Sequence, residues 1–368
     1  MLNEQIESFN QQQMNDYYQF FETFGKATLL ILSILVINAV LPVIWSFIIR
    51  PKFTHNRQSK AKYSNNNNND PWAIITGCTD GLGLEFARNL AKKGFNLCLI
   101  SRSQSKLDSL KRELATKYNQ SGQVETIAFD FSSTNYQVIE KVIKSLPSID
   151  LLINNVGVIP CSRDPLVDFF CETSKDIILK GLNINLISCL KMTNIVLPIM
   201  ESQGSGTVVQ LSSILGTKPS PLTSVYGGTK TFIDFFGRSL AMEYAEKNIR
   251  VVSLFPSFVR TKLTKMETNM MIPSADEFVE SAISTVYHES RTTGFWSHQL
   301  LYRVGLTLSV LSPQDRWEEY CGLKVTADEM DAAKKLDNIP FEPHPFSDDI
   351  VSSFMKNFGF VKRSTNMD

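Results

Sequence analysis

The sequence has no net charge, no paired-cysteine motif and few histidines, and each shortage removes a class of function. Lysine plus arginine and aspartate plus glutamate number 37 each among 368 residues, so no global positive field draws the chain to nucleic acid. Cys78, Cys98, Cys161, Cys171, Cys189 and Cys321 contain no Cys-x-x-Cys pair and no metal-ligand spacing, which points to reduced thiols in a cytosolic setting and to no metal centre. His55, His288, His298 and His344 stand beside no Gly-x-Ser-x-Gly turn, so a Ser/His/Asp hydrolase is not expected. They read as surface or hydrogen-bonded core residues. No internal repeat marks a solenoid. With 43% hydrophobic and 20% charged residues, the balance is that of a globular protein, either one large α/β domain with extensions or two domains.

Charge is also missing from Ala27 to Ile49, which are 23 consecutive residues. At about 1.5 Å per residue a helix of this length crosses a hydrocarbon core of about 30 Å. A cleaved signal peptide fits poorly, because Glu4, Glu7, Asp16 and Glu22 precede the run against Lys26 alone and no small-residue cleavage site follows. Arg50, Lys52, Arg57, Lys60 and Lys62 follow it, and this excess of cations puts the body of the protein on the cytosolic side. Ser64 to Asp70, with five asparagines, reads as a flexible linker.

From Pro71 short apolar runs alternate with helix-period segments. This is the pattern of a doubly wound, Rossmann-type parallel sheet covered on both faces. Strands are expected at Trp72–Thr76, Asn96–Ile100, Thr126–Phe129, Leu151–Asn154, Thr207–Leu211 and Ile249–Phe255. Helices are expected at Leu82–Lys93, Ser105–Tyr118, Tyr136–Leu146, Gly181–Met200 and Ser224–Glu246. The first strand runs into Thr76-Gly77-Cys78-Thr79-Asp80-Gly81-Leu82-Gly83. Glycines there let backbone approach a pyrophosphate, and a helix N-terminus offers it free N–H groups. Such a turn alone is a weak signal, since bland glycine turns are common and its spacing differs from the general dinucleotide fingerprint. The second strand ends at Ser101-Arg102 with no carboxylate for a ribose hydroxyl. Arg102 can instead pair with a 2′-phosphate, which favours NADP(H) over NAD(H), unless it is an incidental surface cation.

Four further segments follow in order: Asn154-Asn155-Val156-Gly157, Asn185, Ser212-Ser213 and Tyr226-Gly227-Gly228-Thr229-Lys230. With the glycine turn they resemble the short-chain dehydrogenase/reductase superfamily over about Pro71 to Gly294. Within it the chain resembles the very-long-chain 3-oxoacyl-CoA reductases, the 17β-hydroxysteroid dehydrogenase 12 group. That likeness rests on the N-terminal anchor, the Thr-Asp-Gly-Leu-Gly turn, Leu-Ile-Ser-Arg-Ser, Lys191-Met192-Thr193 and the run from Phe258 to Thr264. Gly227 departs from the family's usual serine, and the tail from about Pro313 has no counterpart.

Tyr226 and Lys230 are four apart, so a helix puts them on one face, where an ammonium can lower the phenol pKa from about 10. Tyr226 would then act as general acid toward a carbonyl oxygen. The resemblance adds that Lys230 also holds the nicotinamide ribose, Ser213 bonds the substrate oxygen and Asn185 positions a relay water. It adds cofactor contacts from Gly77, Thr79, Asp80, Gly81, Leu82 and Gly83, from Asn154 near the adenosine ribose, from Asp130 near the adenine and from Thr261 near the nicotinamide amide. Asp130 suits a helix cap equally well. Gly227 and Gly228 each cost up to about 1 kcal/mol in a helix relative to alanine, less in its first turn, so close approach of a cofactor or of a neighbouring helix is expected to compensate.

Beyond the sixth strand, Met266, Met270 and Met271 suit an acyl chain or a sterol, while Arg260, Lys262 and Lys265 suit CoA phosphates or solvent. Gln299–Leu311 is too short to cross a membrane and fits a bilayer surface, an oligomer interface or a core. The expected layout is a non-cytosolic 1–26, a spanning 27–49, a linker 50–70, a reductase domain 71–297 and an extension 298–368. The resemblance implies a single-pass protein of the endoplasmic reticulum membrane that takes a lipid or acyl-CoA substrate. It leaves room for a homo-oligomer and elongation-complex partners. A hydroxysteroid or retinoid dehydrogenase is the nearest alternative, and a silent membrane scaffold the remote one.

Overall fold

The computed structural model describes residues 2–50, 71–118, 123–162, 168–262, 264 and 266–311. The linker after Arg50, Leu263, Lys265 and the extension from 312 onward lie outside the described residues.

Strands β1 (Trp72–Thr76), β2 (Asn96–Ser101) and β4 (Leu151–Asn154) are buried at every position, as continuous apolar runs in a parallel sheet require. With β3 (Val124–Ala128), β5 (Gly206–Leu211), β6 (Ile249–Leu254) and β7 (Arg291–Thr292) they form one parallel sheet in the order β3-β2-β1-β4-β5-β6-β7. The six expected strands are present within a few residues of their expected ends. β7 was not anticipated, because two residues carry no readable period.

The pleat sends alternate side chains to opposite faces. Ile75, Leu97, Leu99, Val209 and Val252 meet α2 (Gly81–Lys92), α3 (Gln104–Tyr118) and α8 (Ala275–Val286). Ile74, Ile100, Leu152, Val208 and Val251 meet α4 (Gln137–Ser145), α6 (Ser188–Gln203) and α7 (Ser224–Glu243). Ser274 and Glu277 form a capping box at the start of α8, a Ser-x-x-Glu signal that the sequence reading passed over. α5 (Lys175–Leu182) joins α6 through a π-helical turn, Asn183–Ile187. This apolar rod has the length to span a bilayer, but 44% of its apolar window is buried, and its place on the sheet makes it a core element.

The N-terminal apolar run belongs to a longer helix, α1 (Leu2–Ile44), which ends in a π-helical turn, Trp45–Ile49. Pro42 lies one turn before that irregularity, where its missing N–H interrupts the helical ladder. Residues Gln12–Ile49 include a window of mean hydropathy 2.6. α1 packs on the last described helix, α9 (Trp296–Leu311). Arg50 pairs with Glu289 at 2.7 Å, and Ser46 donates to the same carboxylate at 3.2 Å. α9 buries Ser297 and His298, so the body runs on through α9 and a boundary at 297/298 would cut a packed helix.

Candidate active site

The strand order reverses between β1 and β4, and in open parallel sheets the crevice at the strands' C-terminal ends beside such a point is where ligands bind. On the β1 side Gly77 adopts φ +66, with Asn155 Nδ2 and Val156 Cα each 3.1 Å from where a Cβ would stand. A Cβ on Gly83 would collide with Gly77 O and Asn155 Nδ2. Asn155 secures this contact by donating to Thr76 O at 2.8 Å and Gly77 O at 3.2 Å. Asp80 caps α2 by accepting from Gly81 N at 2.8 Å. Among the described residues the N–H groups of Leu82 and Gly83 meet no acceptor, so the first turn of α2 presents donors to an anion.

Thr79 and Ser101 share a hydroxyl hydrogen bond of 2.7 Å, joining the glycine turn to the end of β2. Arg102 follows on an exposed surface. Asp130 is held below the usual carboxylate range, first by Ser132 N–H and further by the charges of Arg102 and Lys180. Its 2.9 Å bond to Ser132 N closes a local turn, and it does not cap the helix that follows, whose N-cap is Tyr136. Thr261 packs over Gly81, with its Cγ2 3.5 Å from a Cβ built there. Lys262 reaches Asp80 at 3.5 Å. The loop after β6 therefore closes over the glycine turn.

Asn154 differs from expectation. Its amide donates to Thr193 Oγ1 and Gln210 Oε1, both at 3.0 Å, in a buried polar cluster under α6. The pleat turns this amide inward, and Asn155 is the one that meets the glycine turn.

On the β4–β6 side, β5 delivers Ser213 and α7 delivers Tyr226 and Lys230. Ser213 accepts from Leu215 N at 3.2 Å, and its hydroxyl bears on that of Tyr226, whose pKa it lowers. Lys230 donates to Leu211 O at 2.7 Å, with its Nζ 5.6 Å from the Tyr226 ring centre. Asn185, in the π-helical turn, is buried. Its Nδ2 donates to Val158 O at 2.9 Å and Thr229 Oγ1 at 3.1 Å, and its Oδ1 accepts from Val158 N at 2.9 Å. Gly157 admits this closeness, since a Cβ there would lie 3.4 Å from Lys230 Nζ and 3.6 Å from Asn185 Oδ1.

The electrostatics differ from the sequence expectation. Burial drives the Tyr226 hydroxyl up to about 12, opposed by the Ser213 hydrogen bond, with no contribution from Lys230. Burial also pulls Lys230 down to about 8. Desolvation disfavours both charged forms, so at neutral pH the pair is a protonated phenol beside an ammonium. The glycines part company as well. A Cβ on Gly227 would lie 3.1 Å from Leu215 O, whereas nothing lies within 4 Å of a Cβ on Gly228.

Sequence reasoning missed His298 here. Its Nδ1 accepts from Ser257 N at 3.3 Å, and its Nε2 lies 3.1 Å from Phe258 O and 3.2 Å from Met271 O. Those partners fix the neutral Nε2–H tautomer, and burial lowers the imidazole to about 4. No spacing rule could have paired position 298 with a loop some 40 residues earlier. A groove bordered by Tyr136, Gln137, Lys191 and Asn194 is separate from all these residues.

Known proteins agree with this geometry. The very-long-chain 3-oxoacyl-CoA reductase of Homo sapiens is 41% identical over 234 residues, 62% of this chain and 73% of that one. Reductase-A of the same name from Danio rerio is 38% identical over 248 residues, 66% of this chain and 75% of its own. Hydroxysteroid dehydrogenase-like protein 1 of Gallus gallus is 37% identical over 243 residues, 64% of this chain and 71% of its own. The fold is similar to that of a short-chain dehydrogenase from Sphingobium yanoikuyae in complex with NADPH, with TM-score 0.55 and 24% identity over 67% of this chain and 99% of that one. It is also similar to a 7β-hydroxysteroid dehydrogenase, with TM-score 0.59 and 21% identity over 68% and 96%. The family model for short chain dehydrogenases matches residues 71–271, which contain the glycine turn, Asn185, Ser213, Tyr226 and Lys230, and the chain therefore belongs to the short-chain dehydrogenase family, oxidoreductases acting on CH–OH and C=O groups.

Proposed function

We propose that the protein is an NADPH-dependent reductase that converts a 3-oxoacyl-CoA to the 3-hydroxyacyl-CoA during elongation of very long fatty acids. The reading is carried by the convergence of Ser213, Tyr226 and Lys230 beside the glycine turn in a chain whose relatives bear that reductase name. Residues of the turn fit a dinucleotide: Gly77 and Gly83 let the turn pack tightly on itself and on Asn155, Leu82 and Gly83 offer N–H donors, and exposed Arg102 can meet a 2′-phosphate.

When bound there, the dinucleotide supplies a hydride to the carbonyl carbon. Tyr226, kept protonated by burial, passes its proton to the carbonyl oxygen, so the ketone gains a hydride and a proton and becomes an alcohol. Ser213 donates a hydrogen bond to the same oxygen. Lys230, charged at neutral pH, favours the phenolate that forms. Asn185 acts as a positioning residue, because its side chain pins the Val158 segment beside Lys230.

We place residues 27–49 across the endoplasmic reticulum membrane, residues 1–26 on the far side and the body, joined by the 50–70 linker, in the cytosol. A hydroxysteroid substrate is the second reading, supported by the hydroxysteroid dehydrogenase-like relative. Membranes containing the full chain should oxidise NADPH faster than NADH with a long 3-oxoacyl-CoA, and should leave a sterol ketone and retinal nearly untouched. Preference for the sterol ketone would transfer the assignment to the second reading.

A further inference from the structure

α1 and α9 share an apolar surface. α9 packs along the C-terminal part of α1, where Ala39 and Val43 are only 6% and 7% exposed. Leu301, Val304 and Leu306 on α9 remain 43%, 39% and 37% exposed, and Leu41 of α1 and Trp45 and Ile48 of its terminal π-helical turn are more than half exposed. α9 braces the loop after β5, which leads into Tyr226, and the loop after β6, which closes over the glycine turn. Lys218, from the loop after β5, donates to Gly305 O at 3.4 Å. His298 holds Ser257, Phe258 and Met271 of the loop after β6. Next to that anchorage Met270 is 69% exposed.

We propose that α9 lies in the membrane interface beside the spanning helix, with Trp296, Leu301, Val304 and Leu306 in lipid, so that long acyl ketones reach Tyr226 laterally from the bilayer past Met270 and Met271. The inference rests on the membrane placement of α1 given above. At about 1.5 Å per residue the 16 residues of α9 cannot cross a core of about 30 Å, and α9 is attached to the end of a helix that can. The Arg50–Glu289 pair sets the level, because an ion pair at a helix end belongs at the headgroups. A second copy docked on α9 would also have to cover the open apolar side of α1, which lipid covers without further contacts.

The test uses the full-length protein in bilayers of phosphatidylcholine brominated along the acyl chain, with tryptophan quenching compared among wild type, Trp296→Phe and Trp45→Phe. Each substitution should remove a distinct part of the quenching. A Trp45 component without a Trp296 component would keep the anchor and overturn the placement of α9, as coverage by a second copy would. Absence of both would overturn the membrane reading itself. In a folded Leu301→Glu/Val304→Glu double variant, KM for a long-chain 3-oxoacyl-CoA should rise several-fold. Its kcat, and both constants for a short water-soluble 3-oxoacyl substrate, should stay unchanged. Equal impairment of both substrates would mean that α9 only supports the fold, and would sink lateral entry.

Discussion

On the β1–β3 side the site is made mostly of backbone: Gly77 in a left-handed conformation, Gly83 against Gly77 O, and N–H groups at the head of α2. On the β4–β7 side it is made of side chains from four separate elements, with Asn185 pinning one loop and His298 another. The first half tolerates little change without losing its shape. The second can lose a reacting group and keep its shape, because Lys230, Asn185 and His298 are held by partners other than Tyr226. Chemistry and architecture are thus separable on one side of the crevice and fused on the other.

The largest expected break in that contrast is Tyr226→Phe. Removing the proton donor while keeping the ring should lower kcat by about 10²–10⁴-fold, with the thermal midpoint and NADPH affinity close to wild type. Steady-state kinetics and a cofactor titration on the same preparation check this, and a variant that retained wild-type turnover would refute the mechanism. Next comes Arg102→Ala on the backbone-built side. A charge-assisted contact to a 2′-phosphate contributes about 1.5–3 kcal/mol, so NADPH affinity should fall about 10–100-fold while NADH affinity holds. An equal loss for both would show that Arg102 does not read that phosphate.

The same contrast explains what was legible in the sequence. The glycine turn could be read because left-handed and close-packed backbone admits few residue types, and the buried strands because they are unbroken apolar runs. Tyr226, Lys230, Ser213 and Asn185 were legible through the resemblance. That Asn155 bonds the glycine turn while the Asn154 amide points inward was not legible, because the pleat decides which face each of two adjacent side chains takes and composition does not carry that phase. The direction of the Tyr226 shift was misjudged because spacing reveals a neighbouring charge but not the depth of burial that outweighs it. β7 and the role of His298 depend on contacts across long separations, which no local pattern records.

A smaller effect is expected from pH. Lys230 titrates at about 8 in the folded protein against an ordinary 10.5, so kcat for ketone reduction should be level below that value and fall about tenfold per unit above it as the ammonium is lost. Stability should respond with the opposite sign. Between about 8 and 10.5 the unfolded chain holds the proton that the folded one has released, so this group's contribution grows as pH rises. Buried Cys78, Cys98 and Cys189, each pushed up to about 12 from 9.0, pull the other way above about pH 9. The Lys230 component is therefore read as the difference between wild type and Lys230→Met in denaturant melts. A rate that stays level through pH 9 would place the controlling titration elsewhere.

The smallest effect separates the two glycines that follow Tyr226. A Cβ on Gly227 would stand 3.1 Å from Leu215 O, so an added methyl must push that backbone aside by a few tenths of an ångström, whereas a Cβ on Gly228 meets nothing within 4 Å on an exposed helical position. Alanine at a helix interior is favoured over glycine by about 0.5–1 kcal/mol, partly by restricting the unfolded chain. Gly228→Ala should therefore raise stability by up to that amount and leave kcat and KM unchanged, as urea melts and assays on one preparation would show. Loss of NADPH affinity would mean that bound cofactor occupies the space over Gly228. Loss of stability that grows with protein concentration would mean that a second chain packs on that helix face and needs its backbone bare. Only the expected stabilisation leaves Gly228 outside both halves of the site, a position two residues from the reacting hydroxyl that takes no part in it.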